Sequence, residues 1–375
     1  MKKFNTQIAD SQATEVLPVK PEKFDFEQYA CYTQELNERC KRFWESDSGV
    51  VVYRRMRVAD CFSYGCRNMK ASLENQLGAL ARSMMYKADV PNFLEPWYGI
   101  GIIASAYGLD YIWNEGQAPA IKAPFGSLDE ILDYTYSNVA ETNIGKHTLD
   151  MIEFFMEKTR GQLPISLTDT QSPLNIVTHL ISLDKFFESV LVESDKVLRL
   201  FDNLADLSID FNKEQVQRIG SALAYPGHGF ASSQFWSGLG MSDDNVLMIS
   251  PEQYLDLATP SAKKICQSFG GPVFHSCGNW SIWLEAVMKI KGILMADGAF
   301  SSETDPDAIT ELEHYHQLAS TGIVLNARIV GDLDTIEQQV KRLWVPGMKL
   351  VVVTYCSAPE EQERAYNMIY EICSS

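Results

Sequence analysis

Four short apolar runs decide the fold of this chain. They are Pro272-Val-Phe-His275, Gly292-Ile-Leu-Met295, Gly322-Ile-Val-Leu325 and Leu350-Val-Val-Val-Thr354. Segments with helical spacing separate them, over residues 282–289, 306–319 and 333–343. The middle segment has its own start signal, with Asp305 as cap and Pro306 at the first helical position. Continuous apolar strands that alternate with helices predict a parallel sheet covered on both faces.

Two architectures fit this alternation, an open doubly wound sheet and a closed barrel. No glycine-rich phosphate-binding sequence follows any strand, which weighs against a dinucleotide-binding fold. The chain has 375 residues, and this length favours a (β/α)₈ TIM barrel with an N-terminal helical extension. We predict an arm and helix over residues 1–48 and the barrel catalytic domain over residues 49–375.

Composition and charge limit the classes of function. A hydrophobic content of 46% indicates a globular protein with a sizeable core. The formal net charge of −17 argues against a nucleic-acid partner and against an anionic membrane surface. The first residues lack the apolar stretch of a signal peptide, and no apolar run is long enough to span a membrane. We therefore expect a cytoplasmic enzyme.

Possible metal ligands follow the strands of the second half. The four apolar runs would be the fifth to eighth strands of the barrel. His275 and Cys277 end the fifth, Asp297 and Asn326 follow the sixth and seventh, and Cys356 follows the eighth. In a parallel barrel these ends meet at one mouth. Thiolate and imidazole suit zinc, with a fourth position open to Asp297, water or a substrate. The alternative is a satisfied core histidine with two packing cysteines.

Further polar residues are candidates for the same pocket. The residues expected to bind substrate are Glu95, Asp169, Gln171, Gln234, Asp243, Asp244 and Asn326. Asp244 and His228 are also candidates for acid/base catalysis, and His228 lies in an aromatic loop that is able to cover a pocket. For the acidic pair the alternative is a solvated position beside a helix, and for His228 it is an ordinary surface loop.

The motif His275-Ser-Cys277-Gly-Asn279, followed by Cys356, resembles the zinc motif of methylcobalamin:coenzyme M methyltransferases in the uroporphyrinogen decarboxylase superfamily. The segments at 169–174 and 242–254 resemble strand ends of the same superfamily. The second segment includes Ser250-Pro251-Glu252-Gln253, a strong helix start. The resemblance runs over roughly residues 90–375 and is specific in the second half.

This resemblance implies a zinc-dependent methyltransferase that uses a corrinoid. Zinc would be held by His275, Cys277 and Cys356, and Asp297 matches a carboxylate ligand in the similar zinc site of cobalamin-independent methionine synthase. Methylcobalamin would be supplied by a small corrinoid-binding partner protein. The methyl group would pass to a zinc-activated small-molecule thiol, or in reverse from a small methyl donor to the corrinoid.

Two other functions stay open at this point. The first is a metal-free decarboxylase of a uroporphyrinogen-like polycarboxylate. Its arginine-rich N-terminal motif is not matched by Tyr53-Arg54-Arg55-Met56-Arg57. The second is a non-catalytic corrinoid-binding or zinc-storage protein. A homodimer is an open alternative to a monomer.

Overall fold

The computed structural model describes residues 13–58, 64–96, 100–114, 118–227 and 229–374. Six strands form one all-parallel sheet in the order β1-β6-β5-β4-β3-β2. The strands are β1 (Gly49–Arg54), β2 (Leu239–Ser242), β3 (Pro272–His275), β4 (Met295–Ala299), β5 (Val324–Arg328) and β6 (Lys349–Thr354). The first strand therefore pairs with the last along its whole length, which is the seam of a closed sheet.

Short extended segments complete the ring between β1 and β2. Single parallel bridges join Leu94 to Ile165 and Ile165 to Leu223. The backbone N–H of Gly240 on β2 donates to Pro226 (2.9 Å), and that of Asp89 donates to Val52 on β1 (2.8 Å). The fold is thus the expected TIM-barrel-like α/β fold with helices at its N-terminus.

Helices cover the outside of the ring. They are α1 (Phe26–Glu45), α2 (Met69–Ser83), α3 (Leu128–Leu132), α4 (Asn143–Thr159), α5 (Pro173–Ile176), α6 (Leu183–Val192), α7 (Ser194–Ile219), α8 (Pro251–Gln253), α9 (Thr259–Gln267), α10 (Leu284–Lys289), α11 (Leu333–Leu343) and α12 (Pro359–Ser374). The expected helix start at Ser250 is confirmed, because Ser250 and Gln253 form a capping box at the beginning of α8, and a π turn (Tyr254–Ala258) joins α8 to α9. In the described residues no helix is both long and apolar enough to cross a membrane.

The structure departs from the sequence-based elements at two places. The strands β4 and β5 lie farther along the chain than the apolar runs at 292–295 and 322–325 predicted. The expected helix start at Asp305 and Pro306 is wrong, because a 3₁₀ helix begins only at Leu312. The Asp305 carboxylate instead accepts from the backbone N–H of Gly278 (3.1 Å) and of Asp307 (2.9 Å). It therefore stabilises the turn after β3.

A buried carboxylate joins the two ends of the chain to the barrel. Asp89 is fully buried and accepts from Arg39 on α1 (2.7 Å) and from the backbone N–H of Val52 on β1 (2.8 Å). It also accepts from the hydroxyl groups of Tyr366 (2.7 Å) and Tyr370 (2.9 Å) on α12. A buried charge with this many donors is stable only while all of them are in place. Asp89 thus fixes α1 and α12 against β1.

Candidate metal centre at the carboxyl ends of the strands

One row of side chains crosses four neighbouring strands at their carboxyl ends. In the parallel register Ser242 is paired with His275, His275 with Asp297, and Asp297 with Asn326. Register partners in a sheet point to the same face. The row therefore brings a hydroxyl, an imidazole, a carboxylate and an amide together at the barrel mouth.

The carboxylate of Asp297 orients the imidazole of His275 through a hydrogen bond to Nδ1. The Nδ1–H of His275 donates to Asp297 Oδ2 at 2.6 Å, which directs Nε2 away from the sheet towards Cys277. Burial lowers the pKa of His275, but the hydrogen bonds to Asp297 and Cys277 outweigh it and raise the pKa well above its usual value. The contacts with Asp297 and Cys277 therefore favour the protonated form of the ring.

The carboxylate of Asp297 is itself saturated with donors. Its side chain is 2% exposed and accepts from Arg328 Nε (3.0 Å) and from Asn326 Nδ2, in addition to His275. Burial raises the pKa of Asp297, but Arg328 and His275 overcome this effect and keep it below its usual value. Asp297, which the sequence predicts as a fourth metal ligand, is thus the hydrogen-bond partner of His275.

Three candidate ligand atoms converge in front of His275. They belong to Asp244, His275 and Cys277 and all lie within 4.8 Å of one another. The His275 Nε2 atom is 3.6 Å from Cys277 Sγ and 3.7 Å from Asp244 Oδ1. Zinc bonds of about 2.0–2.3 Å at the tetrahedral angle hold ligand atoms about 3.3–3.8 Å apart. Both separations measured from His275 Nε2 therefore fit one tetrahedral ion.

Asp244 is oriented by two donors from different elements. Its Oδ1 accepts from the backbone N–H of Cys277 (2.8 Å) and its Oδ2 from Asn175 Nδ2 of α5 (3.1 Å). The side chain is 38% exposed, so it faces the mouth rather than the core. The sequence singled out Asp244 for substrate binding and catalysis, and the structure brings it among the candidate metal ligands.

The neighbouring Asp243 lies in a different environment. It is buried, and its carboxylate accepts from Ser172 Oγ and from the hydroxyl of Tyr254 (2.6 Å). Burial raises the pKa of Asp243 to about 6, although the two hydrogen bonds act in the opposite direction. These contacts tie α5 and the π turn to the end of β2. The expected role of Asp243 in substrate binding stays a prediction.

Cys356 does not join the three-atom group. It lies two residues beyond β6, is 1% exposed, and its backbone carbonyl accepts from Arg54 Nε (2.8 Å). Burial raises the pKa of Cys356 to about 12, so its thiol is neutral where it lies. Its assignment as a ligand stays a prediction.

The remaining expected residues fall into two sets. At the mouth, Asp169 accepts from Ser242 Oγ (2.7 Å), Gln171 accepts from His179 (3.0 Å), and Glu95 pairs with Arg55 (3.3 Å). All three of these predicted pocket residues are buried. Gln171 has a positive φ of 58°, which is uncommon for a residue other than glycine.

The other set lies away from the group or is not described. Gln234 is exposed and donates to the carbonyl of Ser221, before the segment at Leu223, so it lies at the opposite end of the barrel. Asn326 is fully buried, and its Nδ2 donates to Asp297 Oδ1. The expected roles of Gln234 and Asn326 in substrate binding stay predictions. His228 lies outside the described residues.

Sequence reasoning missed Arg328, the strongest neighbour of Asp297. Burial lowers the pKa of Arg328, but Asp297 more than offsets this and raises it above the usual value. Its Nη2 atom is buried without a hydrogen-bond partner in the described residues. The signal was present, because Arg328 is two positions after Asn326 on β5 and so shares its face.

Comparison with known proteins agrees with this architecture. The family model described as uroporphyrinogen decarboxylase (URO-D) matches residues 52–349. A solved structure of a methyltransferase from Methanosarcina mazei superposes with a TM-score of 0.62 at 14% identity, covering 91% of this chain and 98% of that one. Among curated proteins no sequence matches. The family match covers well over half of the residues, and the chain belongs to the uroporphyrinogen decarboxylase family.

Proposed function

We propose that this protein is a zinc-dependent methyltransferase that moves a methyl group between a corrinoid and a small thiol, or another small acceptor or donor. The observation that carries the proposal is the group of Asp244, His275 and Cys277, whose spacing fits a tetrahedral ion. The pairing of His275 Nδ1 with Asp297 supports it, because histidines that bind metals commonly donate their other N–H to a carboxylate.

The residues of the chain divide the work at this site. Zinc, when bound, would lower the pKa of a bound thiol and keep it as a thiolate at neutral pH. Asp297 keeps the Nδ1 proton on His275, which leaves Nε2 to face the group. Arg328 and Asn326 hold Asp297 in place, so the orientation of the imidazole is set by the sheet.

The direction of transfer depends on which small molecule reaches the group. Cys277 is exposed and Asp244 faces the mouth, so one side of the group is open to a substrate or to a partner protein. A small corrinoid-binding protein that docks over the mouth would bring its corrinoid to this side. With three ligands from the chain, the fourth position is left for a thiol, for the oxygen or nitrogen of a methyl donor, or for Cys356.

Metal analysis combined with X-ray absorption tests the proposal. We expect about one zinc per chain, which Cys277→Ala removes and the matched control Cys31→Ala, an exposed cysteine on α1, retains. Adding small thiols should add a sulfur neighbour to the zinc shell. In Cys356→Ala an unchanged sulfur count would exclude this residue as a ligand. Full zinc occupancy in Cys277→Ala would contradict the whole assignment.

A metal-free decarboxylase is the second candidate. The observation that favours it is a set of three arginines at strand ends, the buried Arg54 and Arg55 at β1 and the partly buried Arg328 at β5. Two of these already pair with carboxylates, since Arg55 contacts Glu95 and Arg328 contacts Asp297. Protein that folds fully and binds no zinc at any ratio would favour this candidate.

A further inference from the structure

A cleft in the described part of the chain shares no lining residue with the metal group. Its volume is about 810 Å³, and it lies between residues 64–68, residues 110–113 and the start of α4. The volume is in the range of about 300–1,000 Å³ that is usual for small-molecule sites.

An arginine that forms no ion pair with the described acids is the main polar feature of this cleft. The guanidinium carbon of Arg67 lies 3.6 Å from the ring centroid of Tyr64 and 4.9 Å from that of Trp113. Its Nε donates to the backbone carbonyl of Tyr64 (3.3 Å). A stacked guanidinium keeps its N–H edge in plane, where it can bind a carboxylate through two hydrogen bonds.

Aromatic rings form the apolar wall of the cleft. The Trp113 ring meets Tyr111 and Tyr64 edge to face, with centroids 5.6 and 6.1 Å apart. Such rings offer a large apolar area at a low cost in conformational entropy and favour a flat partner. A cationic ligand is disfavoured, because the positive charge of Arg67 already lies over two of the rings.

Two helix ends add to the positive potential. The first turn of α2, capped by Asn68, and the first turn of α4, beginning at Asn143, both border the cleft. Helix N-termini favour anions. The acid in the lining is Asp110, whose carboxylate is 3.5 Å from Asn143 Nδ2 and forms no ion pair with Arg67. In a chain with net charge −17, this concentration of positive ends is a local exception.

We propose that this cleft binds a planar aromatic carboxylate, with the carboxylate on the N–H edge of Arg67 and the ring against Trp113 and Tyr111. Arg67 supplies the charge that selects an anion, and the aromatic wall selects a flat ring over a saturated one. The site is separate from the zinc group and does not require that the zinc assignment be right.

Titration calorimetry on the full-length protein tests this assignment with four probes. They are benzoate, cyclohexanecarboxylate, benzyl alcohol and inorganic phosphate. We expect benzoate to bind most tightly. Cyclohexanecarboxylate lacks the aromatic ring, benzyl alcohol lacks the charge, and phosphate lacks both the ring and the planar carboxylate. Arg67→Gln should weaken benzoate binding by about 10-fold or more. Trp113→Leu should weaken it as well and reduce the preference over cyclohexanecarboxylate.

Arg364→Gln, at an exposed arginine on α12, is the matched control and should bind benzoate as the unchanged protein does. Zinc content should be the same in all three variants, which separates this result from the fate of the metal proposal. Three results would overturn the assignment: no binding of benzoate, equal binding of cyclohexanecarboxylate or phosphate, or full benzoate affinity in Arg67→Gln.

Discussion

Replacing Asp297 by asparagine separates a supporting role from a ligand role. The substitution Asp297→Asn keeps the shape of the side chain but removes the charge that His275 Nδ1, Arg328 Nε and Asn326 Nδ2 all address. Loss of the carboxylate behind a metal-bound histidine typically weakens metal binding by about 10–100-fold. We therefore expect zinc to bind with an affinity lower by that factor and with an unchanged set of ligand atoms.

The same substitution should also lower the stability of the fold, because Asp297 is buried. Asp297 is 2% exposed and pairs with Arg328, which is 13% exposed. Removing one partner of a buried ion pair typically costs about 3–5 kcal/mol, because the other charge stays buried. The metal-free variant should be destabilised by about this amount in urea denaturation.

Asp89→Asn is the matched control for this experiment. It also removes a buried carboxylate that pairs with an arginine, Arg39, and none of its hydrogen bonds involves the metal group. We expect a similar loss of stability with unchanged zinc affinity. The reasoning fails if Asp297→Asn binds zinc as tightly as the unchanged protein, or if X-ray absorption shows that an oxygen ligand has been lost.

Three further results are expected. Burial lowers the pKa of His179 from 6.5 to about 4. The free energy of unfolding should therefore fall by about 3 kcal/mol as the pH is lowered from above 6.5 towards 4, because the unfolded chain takes up the proton first. Urea denaturation at several pH values should show less of this dependence in His179→Gln. Gly78→Ala would put a Cβ 2.1 Å from the carbonyl oxygen of Leu17. The N-terminal arm should therefore detach and become sensitive to protease. An unchanged digestion pattern would contradict this. Gly240→Ala would put a Cβ 2.3 Å from the ring of Phe230. Thermal unfolding should show a loss of about 1–3 kcal/mol in the free energy of unfolding. An unchanged stability would show that the ring can move.

Much of the second half of the barrel was predictable because its local signals agree. The run at 272–275 is the strand β3, and the helix predicted at 333–343 is α11. The strand β4 was placed too early because its sequence, Met-Ala-Asp-Gly-Ala, includes a carboxylate and a glycine. An acid inside a strand is stable here only because partners on β3 and β5 neutralise it, and a single strand does not show its partners.

The sequence predicts which residues lie at the candidate site better than it predicts the role of each residue. The motif at His275 and Cys277 and the strand-end rule identify the mouth, while the sequence predicts Asp297 as a metal ligand and Asp244 as a residue of substrate binding and catalysis. In the register Asp297 lies directly beside His275 on the next strand. Asp244 reaches the front of the imidazole from the turn after β2. Register depends on tertiary packing and cannot be obtained from spacing alone.

The seam between β1 and β6 has a consequence for how the chain must be made. Gly49 pairs with Lys349, so β1 has no pairing partner on this side until β6 is synthesised, 300 positions later. Until then the backbone of β1 is an unpaired edge, which is a template for pairing with other chains. Contacts of such long range also slow folding. We expect ribosome-bound chains that end before residue 349 to aggregate or to bind chaperones.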